Sequence, residues 1–160
     1  MSVDIQRQLD IATAYFLAGE RCSVEMKFGV YGLHSIGSPT ITNYAFSVEL
    51  ALKIVHALSR NAEMRGHDLK MLFDALPEDV RKNLPHLQEC VGDMALYFEN
   101  WRYAYETEFL VGADEYPRRA FIECYREIKR LRPQLASVYE SLWGGFEPEW
   151  VRSRPEVQPR

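Results

Sequence analysis

NYAFSVELALKIVHALSRNAEM, residues 43–64, decides the fold class. Apolar side chains recur in it at two interleaved helical spacings. One row runs Ala45, Val48, Leu52, Val55 and Leu58, and a second runs Phe46, Leu50, Ile54 and Ala57. Two adjacent rows make an apolar face too wide for a helix lying on one neighbour, so this helix, roughly Asn43 to Met64, is expected to pack against several. The remaining face carries Glu49, Lys53, His56, Arg60 and Glu63 in a single polar row. Thr42 or Asn43, or Ser38 ahead of Pro39, can cap its start, and Gly66 is expected to end it.

Working outward, the same periodicity recurs on both sides. From Asp4 to about Met26, Ile5, Leu9, Ala12 and Phe16 mark one helix face, and Gly29 to Thr42, with three glycines and a proline, reads as an irregular loop. Downstream, Asp68 can cap a short helix carrying Leu69, Leu72, Phe73 and Leu76. Pro77 and Pro85 precede a third long helix, whose apolar row is Leu87, Val91, Met94, Phe98, Trp101, Tyr105 and Phe109. The last helix is predicted to begin near Pro117, with Asp114 as its cap. Its row runs Phe121, Cys124, Ile128, Leu131, Leu135, Val138 and Leu142, up to Gly144. Because the apolar phase survives across Pro133, that proline is predicted to kink the helix and not to end it. The segment after Phe146 has three prolines and is expected to be extended, with Trp150 either folding back onto the body or leaving with a mobile tail. No segment alternates apolar and polar residues between turn signals, so strands are not expected. The expected architecture is all-α: a four-helix up-and-down bundle with an additional short helix over residues 1–145, and a proline-containing tail over 146–160.

Bulk properties exclude several function classes. With 160 residues the chain suits one domain, and its hydrophobic share of 47% and charged share of 26% are ordinary for a globular protein. A formal charge of -4 argues against a nonspecific, whole-surface grip on nucleic acid, a DNA duplex included, which needs an excess of Lys and Arg, and leaves a local basic patch open. Cys22, Cys90 and Cys124 are odd in number and far apart, as buried reduced thiols would be and as a disulfide framework would not. The N-terminal residues lack the basic start and apolar run of a signal peptide, and nothing approaches the ~20 apolar residues of a membrane span. A cytoplasmic protein away from membranes is the expectation. There is no glycine-rich phosphate loop, no helical HExxH and no Cys/His cluster at ligand spacing, so neither metal nor cofactor is expected.

Three stretches are more specific: AFSVELALK (Ala45 to Lys53), GHDLKMLFDAL (Gly66 to Leu76) and FENWRYAYE (Phe98 to Glu106). Their order and separation resemble the HEPN superfamily, over about Phe16 to Tyr139. The resemblance implies a helical bundle that forms a homodimer. Many members are metal-independent endoribonucleases of toxin–antitoxin, antiviral or RNA-processing systems. It implies RNA or a nucleotide as ligand, and a cognate antitoxin or nucleotidyltransferase-type protein as partner. Members carry an arginine and, on the same helix, a histidine with four to six residues between them. Arg102 matches the arginine, but Thr107, Glu108 and Phe109 stand where the histidine would fall, and Tyr103 follows the arginine directly. Proton transfer would then fall to Glu106, one turn on, or to a histidine from elsewhere, of which His67 is the candidate.

Read without the family, each of these residues has two roles open to it. Glu99 and Glu106 lie three before and four after Arg102, so Arg102 is either a phosphate clamp or part of an ion-pair network, with Glu49 as a further partner. Glu49 and Lys53, in the favoured acid-before-base order, form either a solvated salt bridge or one wall of a polar RNA-binding groove. His67, ahead of the capping Asp68, either packs at a helix start or moves a proton. Tyr103 lies off the core row of its helix and either packs or stacks on a base. Arg119, Arg126 and Arg130 lie near one face of the last helix, either solvated or aimed at RNA phosphate. Two functions remain open. One is RNA contact at a dimer-interface cleft around Arg102, with or without cleavage. The other is a non-catalytic helical dimer acting as a scaffold or inhibitor of another protein.

Overall fold

In the computed structural model, helix α2 (Gly37–Arg60) packs against α1 (Ile5–Val24), α3 (Leu69–Asp74), α5 (Pro85–Arg102) and α6 (Glu115–Leu131). The structure describes the backbone of residues 4–24, 27–29, 32–34, 37–102 and 115–143, and the side chains of 4–23, 40–95 and 116–142. The chain is mostly helical, as the periodicity predicts. Val48, Leu52, Ile54 and Val55 are fully buried on α2, whereas Leu50 and Leu58 are only partly covered, which is how a helix with several neighbours spreads its wide face. They meet Leu9, Ala12 and Phe16 of α1, Leu87, Val91 and Met94 of α5, and Phe121, Cys124 and Ile128 of α6 in one core.

The ends of α2 differ from expectation at both sides. The helix starts at Gly37, because Pro39 falls in the first turn, where a missing N–H leaves no intrahelical bond unmade. It stops at Arg60, because Asn61 takes a left-handed φ of 52°, which Asn tolerates better than most residues; Gly66, at φ 107°, belongs to the connection beyond. Between α1 and α2 lies a two-stranded antiparallel hairpin, β1 (Lys27–Gly29) and β2 (Gly32–His34), pairing Phe28 with Leu33. Three residues per strand are too few to carry a detectable alternation.

Asp68 caps α3 as predicted: its carboxylate accepts from the backbone N–H of Lys70 at 2.8 Å and Met71 at 3.1 Å. A single-turn helix α4 (Glu78–Arg81) then buries Val80 before α5 begins at Pro85. The last helix ends at Leu131, so Pro133 terminates it. A proline ring displaces the carbonyl four residues back and disfavours helical backbone at Arg132. Leu135 is buried, but Val138 and Leu142 are 69% and 54% exposed, so the apolar spacing beyond Pro133 does not mark a helix face. Residues 136–138 return to α1, where Gln6 Nε2 donates to the Ala136 carbonyl at 2.8 Å and Asp10 accepts from the Val138 N–H at 2.9 Å. A short helix α7 (Glu140–Trp143) follows. The tail from Gly144, including Trp150, lies outside the described residues.

An aromatic stack crosses the core. Phe16 lies 4.5 Å from Phe121 and 5.7 Å from Tyr44, ring centre to ring centre. The Tyr44 ring sits so close to α1 that a Cβ at Gly19 would come within 2.5 Å of it. Exchanging a mid-helix glycine for alanine ordinarily stabilises by up to ~1 kcal/mol. Gly19→Ala is instead expected to destabilise by about 1–3 kcal/mol through overpacking. Gly92→Ala on α5, where nothing lies within 4 Å, should show the ordinary gain. Urea melts of the two variants check the opposite signs; a stabilised Gly19→Ala would contradict the packing.

Cys90 and Cys124 are buried and Cys22 is partly covered, all three reduced. Burial first, and then Glu123, push the Cys90 thiol up to about 12, and the same causes raise Cys124. Burial also raises Tyr125, to about 12, and Tyr44. These groups keep a proton in the folded state that the unfolded chain releases, so the folded state binds more protons above the unfolded values. Stability is therefore expected to be full below about pH 8.5 and to fall as pH rises toward 12, by about 1.4 kcal/mol per pH unit for each group still protonated. Urea midpoints between pH 7 and 11 measure this; a flat profile would contradict it.

Candidate functional site

One turn of α2 and the approach to α3 bring three of the sequence candidates together. Glu49 and Lys53 are one helical turn apart, and Lys53 Nζ donates to Glu49 Oε1 at 2.7 Å. His67, 18 residues further on, places Nδ1 2.9 Å from the same oxygen. It is positioned there because the Asp68 cap fixes the start of α3 beside α2. A carboxylate only accepts, so His67 Nδ1 is the donor in this contact, which makes Nε2 the lone-pair nitrogen of the neutral ring. The Glu49 carboxylate is only 4% exposed and the His67 ring 70% exposed. A buried acid thus holds an exposed imidazole in one tautomer, with Lys53, 16% exposed, balancing the acid's charge. Glu49 Oε2 is buried and takes no hydrogen bond from any described residue. The arrangement can orient a general base whose free nitrogen faces outward.

Arg102 is the last residue of α5, a helix that packs on α2, but its side chain lies outside the described residues, as does that of Glu99. Tyr103 and Glu106 lie outside them altogether. Arg130 forks onto Glu127, with Nε at 2.8 Å and Nη2 at 2.6 Å, and this pairing raises its pKa further. Arg119 and Arg126 are half-buried on α6. His56 is spent on its own helix end, where Nδ1 donates to the Ala62 carbonyl at 3.0 Å.

Two buried acids that sequence reasoning did not single out do structural work. Glu20 of α1 accepts from the Tyr44 hydroxyl at 2.7 Å and from Arg118 Nε at 2.5 Å and Nη2 at 3.0 Å, tying α1, α2 and α6 together. Glu123 of α6 accepts from the backbone N–H of His86 at 3.2 Å and Leu87 at 3.0 Å, capping α5 from another helix. The second was detectable in part, since an acid inside the apolar pattern of α6 needs a partner; the sequence does not say where that partner comes from. His86 Nε2 also approaches Cys90 Sγ at 3.8 Å. That pair is no activated nucleophile, because burial and Glu123 keep the thiol protonated.

Among the described residues no three His, Cys, Asp or Glu side chains converge as a metal site, and no helix is long and apolar enough to cross a membrane. No protein-family model, curated protein or solved structure matches the chain.

Proposed function

We propose that the chain is a HEPN-like protein of a bacterial defence or toxin–antitoxin type that acts on RNA as a homodimer, with His67 as its proton-transfer group. In this reading α1, α2, α5 and α6 are the four helices of an up-and-down bundle, which the packing of α1 on α2, α2 on α6 and α5 on α6 supports. The observation that carries the chemistry is the 2.9 Å contact of the exposed His67 with the buried Glu49. Two of the three motif stretches, AFSVELALK and GHDLKMLFDAL, meet at this contact, so their resemblance to the superfamily coincides with a chemically competent pair.

His67 Nε2 removes the proton of a ribose 2′-hydroxyl, and O2′ attacks the adjacent phosphorus. The P–O2′ bond forms as the P–O5′ bond breaks, and the proton returns to the departing 5′-oxygen through water. The products are a 2′,3′-cyclic phosphate and a 5′-hydroxyl, with no metal required. Arg102, at the end of α5, is assigned to the phosphate, and a histidine on α3's approach stands in for the one missing after it. Arg102→Ala is expected to lower RNA cleavage by about 10²–10³-fold, the size of losing one charge-stabilising donor, without shifting the melting temperature. An unchanged cleavage rate, or a variant that unfolds, would overturn the assignment of Arg102.

A further inference from the structure

A cavity of about 390 Å³ opens where α3, α4 and α5 meet, on residues separate from the Glu49–His67 pair. Its charged lining is Lys70, Asp74, Glu78, Arg81 and Lys82, and Phe73, Val91 and Gln88 complete it. Two of the three cations are committed. Lys70 Nζ is 2.7 Å from Asp74 and Lys82 Nζ is 2.8 Å from Glu78, each one helical turn away. Arg81 differs: it is half-buried, its Nε is fully covered, and that Nε has no hydrogen-bond partner.

With its Nε covered, Arg81 can meet a ligand in the cavity only through its two terminal Nη groups. Arginine is also the cation that leaves water most readily and matches a two-oxygen anion with two parallel N–H donors. The cavity has the size of an ordinary small-molecule site. Its lining leaves one positive charge uncompensated, beside two apolar side chains and one amide. We infer that this cavity binds a small molecule bearing one carboxylate or phosphate group, which pairs with Arg81, and an apolar body about one ring in size, which lies against Phe73 and Val91. Gln88 supplies a donor and an acceptor for a polar substituent on that body.

The site is tested on the full chain with three probes of one shape: benzoate, phenyl phosphate and neutral benzamide. Backbone amide shifts of residues 78–91 are followed by NMR titration in wild type, Arg81→Met and Arg81→Lys. The expected result is saturable, millimolar binding of benzoate or phenyl phosphate that shifts these amides, with benzamide at least about tenfold weaker. Whichever of the two anions binds more tightly identifies the headgroup. Arg81→Met, which keeps the apolar stem, should lose the binding about tenfold or more, and Arg81→Lys should retain part of it through charge alone. Should Arg81→Met not fold, the wild-type preference for anion over amide and the weakening by Arg81→Lys still decide. Equal binding of benzamide, no saturable shift with either anion, or undiminished binding by both variants would each overturn the inference. None of these outcomes bears on RNA cleavage, since no lining residue belongs to the Glu49–His67 site.

Discussion

Arg118→Met is expected to lower the melting temperature by roughly 6–20 °C. Glu20 is 4% exposed and is held by the Arg118 fork and the Tyr44 hydroxyl. Removing the guanidinium leaves a buried carboxylate with one neutral donor. Breaking a buried pair in this way costs about 3–5 kcal/mol, chiefly the desolvation of the orphaned charge. For a chain of this size each kcal/mol moves the midpoint by about 2–4 °C. Adding Glu20→Gln to Arg118→Met removes the orphaned charge, so the double variant should recover a large part of the loss. Tyr44→Phe removes one hydrogen bond and leaves the ion pair intact, at a cost of about 1 kcal/mol. Thermal melts of the three variants and the wild type check the ranking. An Arg118→Met protein as stable as wild type would show that the three helices are not joined through this pair.

The second large effect is on activity. His67→Ala is expected to reduce RNA cleavage by about 10²–10⁴-fold, the usual contribution of a positioned base. Stability should barely change, because the ring is 70% exposed. Glu49 is a positioning residue in this scheme, acting through His67 Nδ1. Glu49→Gln keeps the shape and one acceptor oxygen but removes the negative charge and adds an NH2 donor that can turn toward Nδ1, so the tautomer is no longer fixed and most of the rate should be lost, with kcat falling more than KM rises. Combining it with His67→Ala should cost no more than His67→Ala alone, because the two act as a unit. Additive losses in the double variant would separate Glu49 from His67, and a full rate for Glu49→Gln would remove it from the chemistry.

What the sequence makes legible follows from the range of each interaction. The rows of α2 and α6 and the Asp68 cap depend on neighbours within four residues, and they appear where the spacing predicts them. The end of the last helix does not. Leu135, Val138 and Leu142 keep the helical phase past Pro133 by coincidence, while the chain there is held by Gln6 and Asp10, more than 100 residues away. The start of α2 was obscured for a similar reason: three glycines and a proline suggest a loop, but Pro39 costs nothing in a first turn.

The candidate site divides along the same line. Glu49 and Lys53 are visible as an i, i+4 pair, and His67 as a residue ahead of a cap. That His67 and Lys53 share one oxygen of Glu49 depends on the path of residues 61–66, and no local pattern encodes it. Glu20, Tyr44 and Arg118 are 24 and 98 residues apart, so their meeting is a property of the fold alone.

The most direct measurement is the end-group chemistry of RNA incubated with the wild-type protein and with His67→Ala, in excess chelator. The Glu49–His67 assignment predicts fragments ending in 2′,3′-cyclic phosphate and 5′-hydroxyl from the wild type, and loss of them by at least about 100-fold in the folded variant. A wild type that leaves RNA intact, or a His67→Ala protein that still produces the same ends at the same rate, would contradict it.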